Sequence, residues 1–158
     1  MSDARFEDGA EEPLALLAVD EADLSVMSSL VQDAVLTVND MRFVAKRREF
    51  AVLLNRFRWE DRAAAERVGR SYERVRAVLM FRDVQAVRSQ GINQGDAETV
   101  LSLLSVGFVP GEDGTGKVVL TLAGDGAVEL DVETLDATLR DVTRPYLAPS
   151  RKMPGHPG

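Results

Sequence analysis

The 158-residue chain is long enough for one domain with a core that needs neither disulfides nor metal, since about two-thirds of the unfolded surface can be buried at this length. It has no Cys, and its single histidine, His156, lies in a Pro/Gly-rich tail, which excludes thiolate chemistry and histidine-based acid-base or metal sites. No apolar run approaches the roughly 20 residues of a membrane span, and the acidic N-terminus does not resemble a secretory signal, so a soluble cytoplasmic protein is expected.

The net charge of −7 is unevenly distributed along the chain. Residues 1–41 contain one basic and ten acidic side chains, for a net charge of −9. Residues 42–90 contain thirteen basic and six acidic side chains (net +7), and residues 91–158 contain five basic and ten acidic ones (net −5). The acidic flanks either fold against the basic middle segment and neutralise it, or leave it open to an anion. The first interpretation is favoured because mixed-sign surfaces are normal for small domains.

The N-terminal third predicts a strand followed by a helix. Residues 1–13 are acidic and lack periodicity, which is typical of a flexible leader. The apolar residues 14–19 predict a buried strand, and Asp20 is suited to cap a helix over about residues 21–33. The inward stripe of that helix is formed by Leu24, Met27, Val31 and Ala34.

The middle of the chain predicts β structure. Residues 35–38 and 41–45 flank Asn39-Asp40 and predict a tight hairpin, and residues 46–49 turn the chain into a central strand over residues 50–59. The first half of that strand is apolar on both faces. Its second half places Phe57 and Trp59 on one face, with Trp59 buried, and Arg56 and Arg58 on the other, as in a half-buried antiparallel strand.

Residues 61–71 fit either a short surface helix or a mobile loop, and a loop with one helical turn is favoured. Residues 72–87 alternate as a long strand until Val84 breaks the phase, which predicts a bulge or bend near Asp83. A loop over residues 89–96 leads to another interior strand over residues 100–109.

The C-terminal part predicts a hairpin and a helix. Residues 117–122 and 127–132 alternate on either side of a turn at residues 123–126 that requires at least one positive φ. Thr134 is suited to cap a helix, Leu135, Leu139 and Val142 fall at helical spacing, and Pro145 ends it. Three prolines from residue 147 onward predict a disordered tail.

Several of these segments resemble one bacterial family. They are residues 53–60 (LLNRFRWE), residues 73–81 (ERVRAVLMF), residues 100–104 (VLSLL) and the closing hairpin with its helix. Over about residues 14–142 the chain is similar to the family of domains of unknown function with the number 2948. The resemblance implies a bacterial, cytoplasmic context and supplies no functional residues.

Two sequence patterns resemble ligand sites. Residues 111–117 match the first seven positions of a phosphate-binding loop, but Val118 replaces the expected Ser or Thr and begins a strand instead of a helix, so an ordinary hairpin loop is favoured. Glu129, Asp131 and Glu133 share one strand face, but at nearly 7 Å spacing they are too far apart for one cation. We expect them to face solvent or the basic middle segment.

The candidate anion-binding or partner-binding face consists of five arginines, Arg56, Arg58, Arg74, Arg76 and Arg82. If the strands that carry them are antiparallel neighbours, their guanidinium groups can cluster for bidentate contact with carboxylate or phosphate. Few aromatics lie between them and the net charge is negative, so nucleic acid is a weak candidate.

The order of elements predicts a single α+β domain over residues 14–146, with a mostly antiparallel, strongly bent sheet or partly closed barrel and two helices packed on it. A pleckstrin-homology-like barrel is the nearest analogy, which implies no ligand. The expected function is a non-catalytic interaction module that binds a protein partner or a second copy, without membrane, metal or cofactor. The alternative is a small-molecule or anion-binding protein, or an enzyme, that uses the arginine cluster.

Overall fold

A computed structural model describes residues 13–69, 73–93 and 95–147. The predicted leader, apart from Pro13, and the predicted tail, apart from Leu147, lie outside these residues. The strands are β1 (Ala15–Ala18), β2 (Val35–Thr37), β3 (Met41–Val44), β4 (Glu49–Phe57), β5 (Glu73–Phe81), β6 (Val84–Gln90), β7 (Val100–Pro110), β8 (Gly116–Leu122), β9 (Ala127–Val132), β10 (Ala137–Asp141) and β11 (Tyr146–Leu147). The helices are α1 (Glu21–Leu30) and α2 (Arg62–Val68), with short 3-10 turns at Val38–Asp40, Ala45–Arg47 and Trp59–Asp61.

All eleven described strands belong to one sheet, and every pairing between them is antiparallel. The order is β1-β10-β5-β4-β2-β7-β8-β9-β6, with β3 beside β4 and β11 beside β5. This confirms an antiparallel α+β fold with two helices and places β4 in the interior. The sheet is not closed, since β1 and β6 remain its edges within the described residues. The pleckstrin-homology-like analogy is not confirmed.

The sheet bends sharply where β5 passes into β6. Asp83 has a φ of 57°, and its carbonyl accepts a hydrogen bond of 3.0 Å from the Glu133 amide. The amide of Val84 donates to the Arg48 carbonyl at 2.9 Å. β5 and β6 are consecutive in the chain but far apart in the sheet order. The predicted bend near Asp83 is confirmed.

The concave side of the sheet contains the core, and α1 packs into it. The Asp20 carboxylate caps α1 by accepting a hydrogen bond of 2.8 Å from the Asp23 amide. The four predicted inward residues, Leu24, Met27, Val31 and Ala34, are all buried, although the helix itself ends at Leu30. Most of the helix's contacts are with β7 and β1. The predicted strand, cap and helix are thus confirmed, but the predicted burial of the strand is wrong, since β1 is an edge strand and Leu17 and Val19 are 59% and 56% exposed.

The predicted hairpin at Asn39-Asp40 is wrong. β2 and β3 both run along the same side of β4, where Val35 pairs with Asn55 and Met41 with Val52. The 3-10 turn between them is closed by the Asp40 carboxylate, and neither Asn39 nor Asp40 has the positive φ of a tight hairpin turn. β2 also pairs with β7 on its other side. One interrupted strand therefore lies beside β4.

The predicted C-terminal helix is also wrong, because its residues form β10. Ala137, Leu139 and Asp141 alternate toward the core, and Leu139 pairs with Leu16 of β1 on one side and Leu79 of β5 on the other. The spacing of the apolar residues also suits a helix, but two neighbouring strands are available to satisfy the backbone hydrogen bonds. Residues 137–141 therefore complete the sheet, and the second helix of the fold is α2.

The predicted hairpin of β8 and β9 is confirmed, with Val118 opposite Leu130 and positive φ values at Gly124 and Asp125. Between β4 and β5 the structure has a 3-10 turn and α2, where a loop with one helical turn was favoured. Trp59 lies in that 3-10 turn, beyond the end of β4. Its ring is only partly buried, where substantial burial was predicted.

Candidate functional site

The five candidate arginines do not form one cluster. In the β4-β5 register, Arg56 pairs with Val75, Phe57 with Arg74 and Asn55 with Arg76. Alternation along the strands places Arg56 on the concave face with the core, and Arg74, Arg76 and Arg82 on the convex face. We call the convex side of β1, β10, β5, β4 and β3 the outer face.

Arg56 is fully buried, although the sequence indicated a half-exposed strand end. Its Nη1 and Nη2 donate to the two Glu60 carboxylate oxygens at 2.9 and 2.8 Å, and its Nε and Nη2 donate to those of Asp141 at 3.1 and 3.0 Å. The fifth hydrogen bond goes to the Phe57 carbonyl at 3.1 Å. Because a guanidinium has five N–H donors, none remains for a ligand.

The electrostatics of this buried cluster favour the charged forms. Burial acts to lower the pKa of Arg56, but the hydrogen bonds and charges of Glu60 and Asp141 outweigh it, so the pKa is raised. Burial acts to raise the pKa of Glu60, and Arg56 reverses that effect and lowers it. The acidic C-terminal segment supplies one of these partners and thereby neutralises part of the basic segment, as favoured from the sequence.

Arg58 is also buried. It forms ion pairs with Glu73 and, at 3.6 Å, with Asp61. Arg82 lies near the corner of the sheet, 3.6 Å from the Asp136 carboxylate. Three of the five candidate arginines therefore have carboxylate partners within the chain.

Arg74 lies on the outer face in a different environment. Its Nε donates to the Asn55 side-chain oxygen at 2.6 Å, its Nη2 donates to the Asn55 carbonyl at 3.1 Å, and its guanidinium stacks 4.1 Å from the centre of the Phe57 ring. Burial lowers the pKa of Arg74, with a smaller opposing effect from Tyr146. Within the described part of the chain, neither Arg74 nor its exposed neighbour Arg76 has a carboxylate partner.

The outer face combines apolar and basic side chains. Its apolar side chains are Leu17, Ala51, Leu53, Val78 and Met80, and its basic side chains are Arg42, Arg76, Arg82 and Arg140. The contacts of α1 are mainly with β7 and β1, and those of α2 with the turn before it, so neither helix covers this face. Cavities of about 310, 440 and 540 Å³ open along it. The outer face is therefore a candidate binding surface.

The carboxylates of β9 and its flank are paired with the basic segment. Arg88 contacts Asp131 at 2.7 Å and Glu129 at 3.7 Å, and Arg48 pairs with Glu133. Hydrogen bonds from these arginines lower the pKa of Asp131 and of Glu133. Across residues 13–69, 73–93 and 95–147, no group of three or more acidic or histidine side chains is close enough to hold a metal ion.

The segment that resembles a phosphate-binding loop is the turn between β7 and β8. Gly111 donates from its amide to the Thr115 carbonyl at 2.7 Å, and Pro110 pairs with Gly116 across the hairpin. Since β8 follows directly, no helix N-terminus is available to meet a phosphate. An ordinary hairpin loop, as favoured from the sequence, is confirmed.

Sequence reasoning missed Asp141, Glu60 and Asn55. Asp141 was missed because its segment was predicted to be a helix, and a helix would not place Asp141 in the same sheet as Arg56. Asn55 has the same strand parity as Phe57, so its position on the outer face was predictable. Its contacts with Arg74 and Tyr146 depend on strand register, which the sequence did not give.

Residues 14–156 match the model of a family described as "Protein of unknown function (DUF2948)". Because the match covers most of the chain, the protein belongs to this family, and the resemblance noted in the sequence is confirmed. Searches of curated proteins and of solved structures give no significant match. Within the described residues, no helix is long and apolar enough to cross a membrane.

Proposed function

We propose that this protein is a non-catalytic, cytoplasmic interaction module that binds an acidic protein surface through its outer face. The observation that carries the proposal is the composition of that uncovered face, where Arg42, Arg76 and Arg140 surround apolar side chains. None of the three has a carboxylate partner among the described residues. Exposed apolar surface with a basic rim is typical of an interaction site, and arginine is enriched at such sites.

A second copy of the chain is a poorer partner for this face than an acidic protein. In a two-fold symmetric dimer the same patch would meet itself, so the arginines of one outer face would oppose those of the other. Like charges brought together in this way cost several kcal/mol, whereas carboxylates on a different partner would supply the complementary potential. A homodimer would have to use another surface.

The test compares capture of proteins from lysate by three forms of the full chain. These are the wild type, an outer-face variant (Arg42→Glu, Arg76→Glu and Arg140→Glu) and a control with the same change in charge (Arg62→Glu, Arg67→Glu and Lys117→Glu), whose sites are exposed elsewhere. We expect acidic proteins that bind the wild type and the control, are lost with the outer-face variant, and dissociate as salt is raised. Equal capture by all three forms would rule out the outer face as the binding surface.

A small-molecule or anion-binding function is the second candidate, and one specific observation favours it. Arg74 is partly buried without a compensating carboxylate in the described chain, and Arg76 lies beside a cavity. A cation removed from water without a partner is costly, so a site that keeps one is suited to receive an anion. Arg56 and Arg58, by contrast, are already paired.

A further inference from the structure

The interruption between β2 and β3 opens a cavity beside β4. β3 pairs with β4 as far as Val52, and β2 pairs with it again only at Asn55. Leu53 and Leu54 lie between these pairings, where the 3-10 turn replaces a strand. The resulting cavity of about 310 Å³ is large enough for a small organic molecule.

The cavity has apolar walls and a basic margin. Val35, Leu53 and Val100 contribute apolar side chains, and Arg76 and Asn55 contribute polar ones. Val100 and Arg76 are exposed, so the cavity is reached from solvent. An apolar enclosure with a few fixed polar groups is the usual composition of a small-molecule site.

The charges at this cavity favour an anion. Arg76 has no carboxylate partner in the described chain, and Arg74 follows the same strand face two residues away, roughly 7 Å along the strand. One carboxylate, Asp40, also lines the cavity. It is engaged by Thr37, which donates from its amide at 2.8 Å and from its hydroxyl at 3.1 Å. The lining therefore combines Arg76, which has no carboxylate partner in the described chain, with one carboxylate that already accepts two hydrogen bonds, while Arg74 adds positive charge from outside the lining.

Asn55 is held in a fixed orientation at the margin. Its side-chain oxygen accepts from Arg74 at 2.6 Å and its side-chain nitrogen donates to the Tyr146 hydroxyl at 2.6 Å. Arg74 thus acts through Asn55 and through its charge, as a positioning residue. Arg76, which lines the cavity and has its guanidinium available, is the group placed to contact a ligand.

We infer that this cavity binds a small organic carboxylate, with the carboxylate on Arg76 and an apolar chain or ring against Val35, Leu53 and Val100. The inference rests on the anion-binding function given above as the second candidate, and it specifies the ligand class. Inorganic anions would meet the arginine but would leave the apolar wall empty.

The test is titration of the full-length protein with five probes, monitored through backbone amide resonances in two-dimensional NMR. Hexanoate combines carboxylate and chain, hexanamide is its neutral isostere, acetate and inorganic phosphate lack the chain, and hexylamine reverses the charge. We expect hexanoate to bind with a dissociation constant on the order of 1 mM, as a ligand of this size allows, and to shift resonances of residues that line the cavity. The other probes are expected to bind about tenfold more weakly or worse.

Four variants sharpen the test. Arg76→Gln should weaken hexanoate binding about tenfold, the loss of one charge-assisted bidentate contact, and Arg76→Lys should restore only part of it. Arg67→Gln makes the same change of charge at an exposed site on α2, outside the lining of this cavity, and should bind hexanoate as the wild type does. Val100→Glu should abolish binding by placing a carboxylate at the cavity entrance.

The possible contrary results distinguish failure of the inferred ligand class from failure of the anion-binding function. Equal binding of hexanoate and hexanamide, or preference for hexylamine, would overturn the inference because Arg76 would not select the ligand. Acetate or phosphate binding as tight as that of hexanoate would leave the anion-binding function in place and overturn the inferred ligand class. If none of the anions perturbs the cavity residues, both are wrong.

Discussion

Arg56 and Asp141 form a buried, bidentate ion pair between β4 and β10, with side chains 0% and 3% exposed and hydrogen bonds of 3.1 and 3.0 Å. Asp141 also accepts a hydrogen bond of 2.9 Å from the Leu14 amide, where the chain enters β1. Glu60 completes the cluster from the turn after β4. The buried cluster therefore connects the entry to β1, the central strand β4 and β10.

Asp141→Ala is expected to destabilise the fold by about 3 to 5 kcal/mol, because it leaves part of a buried charge without its partner. The double variant Arg56→Met with Asp141→Leu should lose less than the sum of the two single changes, since neither charge then remains buried. Urea unfolding of the single variants and of the double variant measures these losses of unfolding free energy. Arg62→Met, which removes an exposed pair with Glu66, serves as the control and should cost less than about 1 kcal/mol. A loss of under about 1 kcal/mol for Asp141→Ala would show that the pair contributes little.

The Glu60 carboxyl should make stability dependent on pH in the acidic range. Burial acts to raise its pKa, but the hydrogen bonds and charge of Arg56 lower it below the ordinary value of 4.5. A pKa lower in the folded than in the unfolded state stabilises the fold above pH 4.5 and loses that contribution as pH falls through the folded value. The unfolding free energy of wild type should therefore decline more steeply below pH 4.5 than that of Glu60→Gln. Parallel declines across that range would contradict the assignment.

The β8-β9 turn should depend on Gly124 more than on Gly126. Gly124 has a φ of +81°, a region that β-branched residues rarely adopt, whereas Gly126 does not have a positive φ. Gly124→Val should cost about 1 to 3 kcal/mol from backbone strain alone, since nothing lies within 4 Å of its added Cβ. Gly124→Asn should recover much of the loss, because asparagine tolerates positive φ. Equal thermal stability of the Val and Asn variants would argue against a strained turn.

The Trp59 ring links the turn after β4 to the end of α1. Its Nε1 donates to the Gln32 carbonyl at 2.9 Å, and its ring packs at a tilt against Phe57 with 6.1 Å between centroids. Trp59→Phe should cost about 1 kcal/mol through loss of the hydrogen bond. Trp59→Ala should cost more, but less than the roughly 3 to 5 kcal/mol of a fully buried aromatic, since the ring is partly exposed. Chemical denaturation of both variants distinguishes these values, and a larger loss for Phe than for Ala would contradict this description.

Alternation and turn chemistry were enough to predict the elements whose stability is largely local. Asp20 as a cap, the buried stripe of α1, the bend at Asp83 and the β8-β9 hairpin all depend on residues close together in the chain. The sequence also indicated that the acidic segments would neutralise part of the basic one. For the candidate site, the alternation predicted for residues 72–87 is the pattern that separates Arg74 and Arg76 from the core residues of β5.

The sequence by itself thus determined an antiparallel α+β domain with β4 in its interior, because periodicity records which face of an element is buried. Only the tertiary structure decided that residues 137–141 form a strand, that β2 and β3 share one side of β4, and that Arg56 is buried. Leu139 fits a helical and an extended pattern equally well, and the choice depends on β1 and β5, which are distant in sequence. An arginine at a strand end is normally solvated, and Arg56 can be buried only because the fold brings Asp141 to it across 85 residues.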